Sequence, residues 1–405
     1  MKVAYYSPVP PERTGIADYT ALLLPALRQR VDVDVAKRGG RARGDVALYH
    51  LGNNPDAHGW ILERLRAEPG VVVLHDFVLH HLIAGMTLGR KDGPSYLAAL
   101  ERDGGVAARL LGLGVIDGCI PPLWEVRPED FPLCDAALDN ATGVIVHSRY
   151  VGDRVRERGY AGPVWHVPHP AWPQPGVALE RGAGDPLFGV FGNLNASKRV
   201  GQLLDGFSRY HEAHPEARLL VVGAAAPGTD LDLRIEAAGV ADAATWLDYV
   251  DERRLWALMA GVDAVVSLRS PTMGETSGTV IRALTLAKPL VVSDVGWFAE
   301  LPDDAAIKVA PDEHEAGAVA DALERLSDPA TREAMGAAAR ELAERDHALD
   351  HVADLYLAAL EEAAGGEAVR DAVVGAVTAA AADVGVGAES REAERLARAL
   401  DEVEL

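Results

Sequence analysis

Short β-branched runs bounded by glycine, proline or polar residues recur through the first half of the chain, at 2–7, 31–36, 45–52, 71–76, 143–148 and 163–168. Such runs read as buried strands. Between most of them lie stretches of helical periodicity, such as 16–30 and 149–158. Strands alternating with helices imply a parallel sheet. A segment rich in proline and glycine follows, 169–186, with the composition of a linker. The strand pattern then returns at 187–192, 218–223, 244–248, 263–269, 289–294 and 305–310. The fold class expected is α/β, with two Rossmann-like, doubly wound parallel-sheet domains. The expected domains are 1–169, a linker at 170–186, a second domain at 187–345, and C-terminal helices at 346–405 that pack partly back on the first.

One segment breaks the rhythm. Residues 77–142 are too long for a simple crossover and carry several helical stretches, so they are predicted as an insertion in the first domain. Beyond Asp312 the chain is rich in alanine and glutamate and reads as consecutive helices. The last is predicted to start at an N-cap, Ser390, with Ala393, Leu396, Ala397, Leu400 and Val403 on one stripe. That stripe must pack either on this chain or on a second subunit, which leaves an oligomer open.

With 405 residues there is room for two ordinary cores. Hydrophobic residues at 49% and charged residues at 25% are ordinary globular usage. The net charge of -22 excludes a nucleic-acid binder that works through a basic face. That charge is uneven, with 19 Lys+Arg against 21 Asp+Glu up to residue 180 and 20 against 40 beyond it. The near-neutral first half leaves peripheral contact with a membrane possible in charge terms. Two cysteines, Cys119 and Cys134, suit a reducing compartment and read as buried small hydrophobes. No secretion signal opens the chain, and 372–382 is too short to cross a bilayer. A cytoplasmic location is expected.

Ligands of open α/β sheets collect just beyond the C-terminal ends of strands. Four such places carry candidate chemistry. The first is the loop Pro8 to Tyr19, where Gly15 at a helix start lets backbone N–H groups approach an anion; an ordinary Pro/Gly turn is the alternative. The second runs from Phe191 to Arg199, where Lys198 and Arg199 suit a diphosphate, one as a point charge and one as a fork. The third is Ser270 to Thr279, leading into a helix predicted at 280–287 whose N-terminus suits a phosphate. Were that helix to reach back to Glu275, Glu275 and Arg282 would share a face; otherwise Ser277 is its N-cap. The fourth is Leu74-His75-Asp76 with His80 and His81 behind it. Their spacing matches no common zinc motif, so no metal is expected. His75 alone suits a hydrogen bond to a bound sugar or its phosphate, with a structural histidine as the alternative. Asp32-Val33-Asp34 reads as a solvated strand face.

Taken together, Gly15 to Tyr19, Gly192-Asn193-Leu194 with Lys198, Val222-Gly223, Gly274 to Gly278, and Arg282-Ala283-Leu284 running into Lys288 to Ser293 resemble retaining glycosyltransferases of family 4. The resemblance extends to about residue 362. It implies the GT-B fold, with two domains facing across a cleft, and transfer of a sugar from a nucleoside-diphosphate sugar to an acceptor hydroxyl with retention of configuration. It implies a nucleotide-sugar donor as co-substrate, no other cofactor, and a glycan, lipid-linked or small-molecule acceptor chosen through 77–142. Glu275 and His75 are then the catalytic candidates. Gly15, Asn193, Lys198, Arg199, Ser277, Gly278, Thr279 and Arg282 are the donor-binding ones. The pattern departs at two points. Asn193 stands where the family has a phosphate-binding arginine, and Arg282 stands where a second glutamate would reach the ribose, one residue early. The alternatives are a sugar-nucleotide epimerase of the same fold and a pseudo-glycosyltransferase that binds nucleotide without turnover.

Overall fold

The computed structural model describes residues 1–402 apart from 174, 175, 177, 227, 388 and 389. The chain divides into two units, Met1–Pro168 with Ala353–Leu405, and His169–Val352. Among the described residues each unit holds one six-stranded sheet, and every strand pair in both is parallel.

In the first unit the strands are β1 (Lys2–Tyr6), β2 (Asp32–Val35), β3 (Val46–Leu51), β4 (Gly70–Leu74), β5 (Ala141–Val146) and β6 (Val164–His166). Their order is β2-β1-β3-β4-β5-β6. β3 and β4 are buried along their whole length, as expected of strands covered on both faces. β2 is an edge strand whose aspartates face polar partners: Asp32 pairs with Lys2, and Asp34 accepts from the backbone N–H of Arg43. The helices begin where side chains satisfy the open N–H groups of the first turn. Thr14 caps Gly15–Arg28, Asn54 caps Pro55–Ala67, and Ser148 caps Arg149–Glu157.

The insertion folds into the helices His80–Thr87, Gly93–Ile116, Leu123–Val126 and Asp135–Leu138. Arg158, beyond the end of Arg149–Glu157, ties it down through Asp103 and Asp135. The two cysteines part company here. Cys134 is buried as expected, but Cys119 is exposed, in the turn that follows the end of Gly93–Ile116. At the far end of the chain, the helix Leu349–Gly365 buries Val352, Ala353, Tyr356, Ala359 and Leu360 along one stripe. Within the first unit, Tyr356 bonds Tyr19 (2.7 Å), Asp354 accepts from Arg30 (2.5 Å), and Glu362 accepts from Trp165 (2.7 Å). Ser390 caps the final helix, Arg391–Glu402, through the N–H of Ala393. Val403 and the side chain of Leu400, placed on its stripe from the sequence, lie outside the described residues.

The second unit carries β7 (Leu187–Phe191), β8 (Arg218–Val222), β9 (Ala244–Leu247), β10 (Ala264–Ser267), β11 (Leu290–Ser293) and β12 (Ala306–Val309). All twelve strands fall within two residues of the bounds predicted from the sequence. The order is β12-β11-β10-β7-β8-β9, so the winding reverses between β7 and β10. One face packs Phe188, Val190, Val266 and Val291 against Phe207 and Leu323; the other packs Leu187, Phe191, Val265 and Val292 against Ile281 and Trp297. The described part of the proline-rich stretch is fastened to this unit. Ala171 N–H donates to His347 O (2.7 Å), His347 Nδ1 to His169 O (2.7 Å), and Glu180 N–H to Ala257 O (2.9 Å). Residues 174, 175 and 177 of that stretch lie outside the described residues.

Candidate active site

Where an open sheet reverses its winding, two neighbouring loops diverge and leave a crevice. In the second unit that point lies between β7 and β10. β7 stops at Gly192, whose φ of 105° suits glycine. Gly223, at φ 145°, lies so close to it that a Cβ there would stand 2.0 Å from Gly192 O. After Gly192 the chain forms one 3-10 turn, Ala196–Lys198. A Cβ on Gly192 would meet Thr279 Oγ1 at 3.4 Å and Lys198 Nζ at 3.6 Å. Any side chain at 192 would therefore fill the space between the ammonium and the first turn of the helix that follows β10.

That helix is Gly278–Thr285, with Ser277 as its N-cap accepting from Val280 N–H (3.4 Å). The N–H groups of Gly278 and Thr279 have no acceptor among the described residues. They form, with the helix dipole, an anion-binding end. Just ahead, Thr276 Oγ1 is buried with no hydrogen-bond partner among the described residues. The helix does not reach back to Glu275, so the same-face pairing of Glu275 with Arg282 does not occur; the Ser277 cap ends the helix before it.

Glu275 is instead held from the loop after β10. Its Oε1 lies 2.7 Å from Arg269 Nε, and its Oε2 accepts from Thr272 Oγ1 (3.0 Å) and Met273 N–H (2.7 Å). Arg269, two residues beyond the end of β10, also donates to Ser197 Oγ (3.0 Å), and its backbone N–H donates to Ser293 Oγ (2.8 Å). Burial pushes the Lys198 ammonium down to about 7; neighbouring Arg269 adds to the shift and Glu275 opposes it. The site therefore joins Gly192, Lys198, Arg269, Glu275 and the Ser277–Thr279 turn. Arg269 is the member missed in the sequence. A lone arginine after a strand carries no motif; its signal was only its position at the end of the strand that flanks the winding reversal.

Two expected donor ligands are engaged elsewhere. Arg199 sits at φ 55° and pairs through Nε (2.7 Å) with Glu315, whose side chain is 1% exposed. It lines a cavity of about 270 Å³ with Asn195, Thr229 and Arg234. An internal carboxylate thus holds the cation expected to replace the arginine missing at 193. Arg282 is stacked 3.8 Å from the Trp172 ring, donates to Gly278 O (3.3 Å), and reaches Glu252 Oε1 (3.3 Å). Asn193 is exposed on the turn.

The first sheet reverses between β1 and β3. Gly15 opens the helix after β1, with open space where its side chain would be. Beyond β3, a Cβ on Gly52 would meet Ile16 Cδ1 at 2.5 Å and Asp76 Oδ2 at 3.1 Å, and Asn53 N–H donates to Asp76 Oδ2 (2.7 Å). His75, 9% exposed, exchanges a hydrogen bond with His50 (Nε2 to Nδ1, 2.9 Å) and packs beside His147 and Tyr19 at ring separations of 5.0 and 4.7 Å. The structure thus places Gly15 and His75 beyond the C-terminal ends of β1 and β4, on one side of this sheet. His80 diverges from His75, bonding Phe131 O (2.8 Å) and Tyr96 Oη (2.9 Å), and burial holds its pKa at about 4.

Residues 178–342 match the family model described as glycosyl transferases group 1, a segment that holds β7 to β12 and every second-unit site residue named above. No curated protein matches the chain in sequence. In structure the chain is similar to a sucrose-phosphate synthase from Thermosynechococcus elongatus, with a TM-score of 0.58 at 19% identity over 89% of this chain and 98% of that one. It is similar to WaaG, a glycosyltransferase involved in lipopolysaccharide biosynthesis, with a TM-score of 0.55 at 13% identity over 89% and 99%. It is similar also to HepE of Anabaena, solved in complex with UDP and glucose, with a TM-score of 0.54 at 13% identity over 89% and 100%. Two Rossmann-like parallel sheets followed by C-terminal helices are the GT-B architecture, and this chain has that fold.

Proposed function

We propose that the chain is a glycosyltransferase of the retaining, family 4 type, taking a sugar from a nucleoside-diphosphate sugar to an acceptor hydroxyl. The observation that carries the reading is the grouping of Lys198, Arg269, the Gly278 and Thr279 amides and Glu275 at the winding reversal of the second sheet. Two cations and a helix end supply positive charge where a diphosphate leaves. Glu275 then accepts from the hydroxyls of the donor sugar. No side chain is assigned as nucleophile. In this reading the departing diphosphate stays beside the incoming hydroxyl and takes its proton, the charge being met by Lys198 and the helix end without a metal. Gly15 and His75, beyond the C-terminal ends of β1 and β4, are assigned to the transferred sugar or its phosphate, and the insertion to acceptor choice.

The acceptor is proposed as a sugar, alone or lipid-linked. Among the described residues no helix is long and apolar enough to cross a membrane, so contact with a lipid carrier would be peripheral. The C-terminal helices remain the surface proposed for any oligomer. Two free cysteines and a nucleotide-sugar co-substrate accord with a cytoplasmic protein.

One observation favours a second reading, nucleotide binding without turnover. Arg282 takes the place of a ribose-binding glutamate and is spent on Trp172 and Glu252. Thermal shift against UDP, GDP, ADP and their sugar conjugates tests the donor reading, since a ligand of the native state raises its melting temperature. Stabilisation by one base family is the expected result. Stabilisation by none of them would overturn it. Stabilisation without consumption of any donor would favour the second reading.

A further inference from the structure

The donor reading leaves one position short. Asn193 supplies no charge to the turn after β7, and Arg199 is held by Glu315. Building on that reading, we infer that Arg269 is the second ligand of the donor diphosphate, and that in the free protein it is parked on Glu275, so that diphosphate and carboxylate exchange for one guanidinium.

The geometry fits such an exchange. Arg269 leaves the sheet at β10 and Lys198 leaves it after β7, the two strands that flank the winding reversal. The side chains of Arg269 and Glu275 are 11% and 17% exposed, so water screens their ion pair weakly. Arg269 is anchored at its root by Ser293 and at one nitrogen by Ser197. A guanidinium has five N–H donors in a planar fork and favours bidentate contact with phosphate, so it can turn its remaining edge toward an anion without losing Ser197. Two cations and a helix N-terminus stand there against one carboxylate. Burial pushes the Lys198 ammonium down, Arg269 adds to that push and Glu275 opposes it.

The exchange also accounts for how Glu275 becomes usable. Both of its oxygens are engaged, Oε1 by Arg269 and Oε2 by Thr272 and the Met273 N–H. Departure of Arg269 frees Oε1 for a hydroxyl of the donor sugar, while Thr272 and the Met273 N–H keep Oε2 in place. The carboxylate is thus uncovered without moving. Because the two anions compete for one cation, removing the carboxylate's charge must strengthen the binding of the diphosphate. A merely structural Arg269–Glu275 pair would give the opposite result, since breaking it would loosen the site.

The test is calorimetric titration of the intact chain with UDP, GDP, ADP and inorganic pyrophosphate, for the natural protein and for Glu275→Gln, Arg269→Lys, Arg269→Gln and the double variant Arg269→Gln with Glu275→Gln. Glu275→Gln is expected to bind the accepted diphosphate about three- to tenfold more tightly while losing turnover. Arg269→Gln is expected to bind at least about tenfold more weakly, with Arg269→Lys in between. In the double variant the gain from Glu275→Gln should vanish, because no guanidinium is left to release. The double variant also removes both charges at once, so it keeps the test open if Arg269→Gln alone does not fold. Weaker binding by Glu275→Gln, or unchanged binding by folded Arg269 variants, would overturn the exchange. If the natural protein binds and Lys198→Ala weakens it, the donor reading stands when Arg269 fails. No binding of any probe by the natural protein would overturn both.

Discussion

Burial and the neighbouring Arg269 disfavour the charge of the Lys198 ammonium and push its pKa down to about 7. A diphosphate reverses that balance, so at pH above 7 binding must draw a proton onto Lys198. Affinity for the nucleoside diphosphate should therefore be highest near pH 7 and fall as the pH rises, and the slope should vanish in Lys198→Ala. The same variant removes a charge-assisted hydrogen bond worth about 1.5–3 kcal/mol, a loss of roughly ten- to a hundredfold in affinity by calorimetry. An affinity equal to that of the natural protein would remove Lys198 from the site. Glu275→Gln should lower kcat by about 10²-fold while diphosphate binding tightens. Arg282 belongs to a different class. Its substitution by glutamate strips the stack on Trp172 and sets two carboxylates together at Glu252, so it should lower stability by about 1–2 kcal/mol. A melting temperature equal to that of the natural protein would show that the stack contributes nothing. These roles differ in how far the sequence revealed them. Lys198 and the Ser277–Thr279 turn follow a strand end and a helix start, both local signals. Arg269 reaches Glu275 through a loop, and Arg199 is taken by Glu315, 116 positions away, which no local pattern encodes.

The strands were the most legible elements, because parallel strands covered on both faces must be apolar along their length and must end in glycine or polar residues. Helix starts were harder. The helix after Glu275 was predicted two residues late, at 280, although Ser277 was named as its alternative N-cap; the bond from Val280 N–H to Ser277 Oγ marks that cap. The exposure of Cys119 was hidden, as packing beyond a helix end depends on distant chain. The helix Leu349–Gly365 shows how one element acts through few contacts. Tyr356 lies fully buried against Tyr19, so Tyr356→Phe deletes the hydroxyl to which Tyr19 is bonded and should cost about 1 kcal/mol. Replacement by alanine should cost about 3–5 kcal/mol, as for other buried aromatics. Chemical denaturation would measure both, and equal stability of the alanine variant would mean that the helix does not hold to the first unit through this residue.

Across the whole molecule, the buried histidines are unevenly placed. His50, His58 and His80 all lie in the first unit, and burial holds His58 and His80 at about 4 and His50 well below its usual value. Between about pH 6.5 and 4 the unfolded chain binds protons that these folded groups refuse, so stability should be full above about 7 and fall as the medium is acidified. A melting temperature constant from pH 7 to 5 would contradict their neutral burial. The central claim, however, is sugar transfer at the winding reversal of the second sheet. Proton NMR of the intact protein with a panel of UDP-, GDP- and ADP-sugars, using water and simple sugars as acceptors, tests it most directly. The account expects one donor to be consumed, its nucleoside diphosphate to be released, the first-formed product to keep the donor's anomeric configuration, and Glu275→Gln to slow the reaction by about 10²-fold. Binding of that nucleoside diphosphate with no donor consumed, or consumption undiminished in Glu275→Gln, would contradict it.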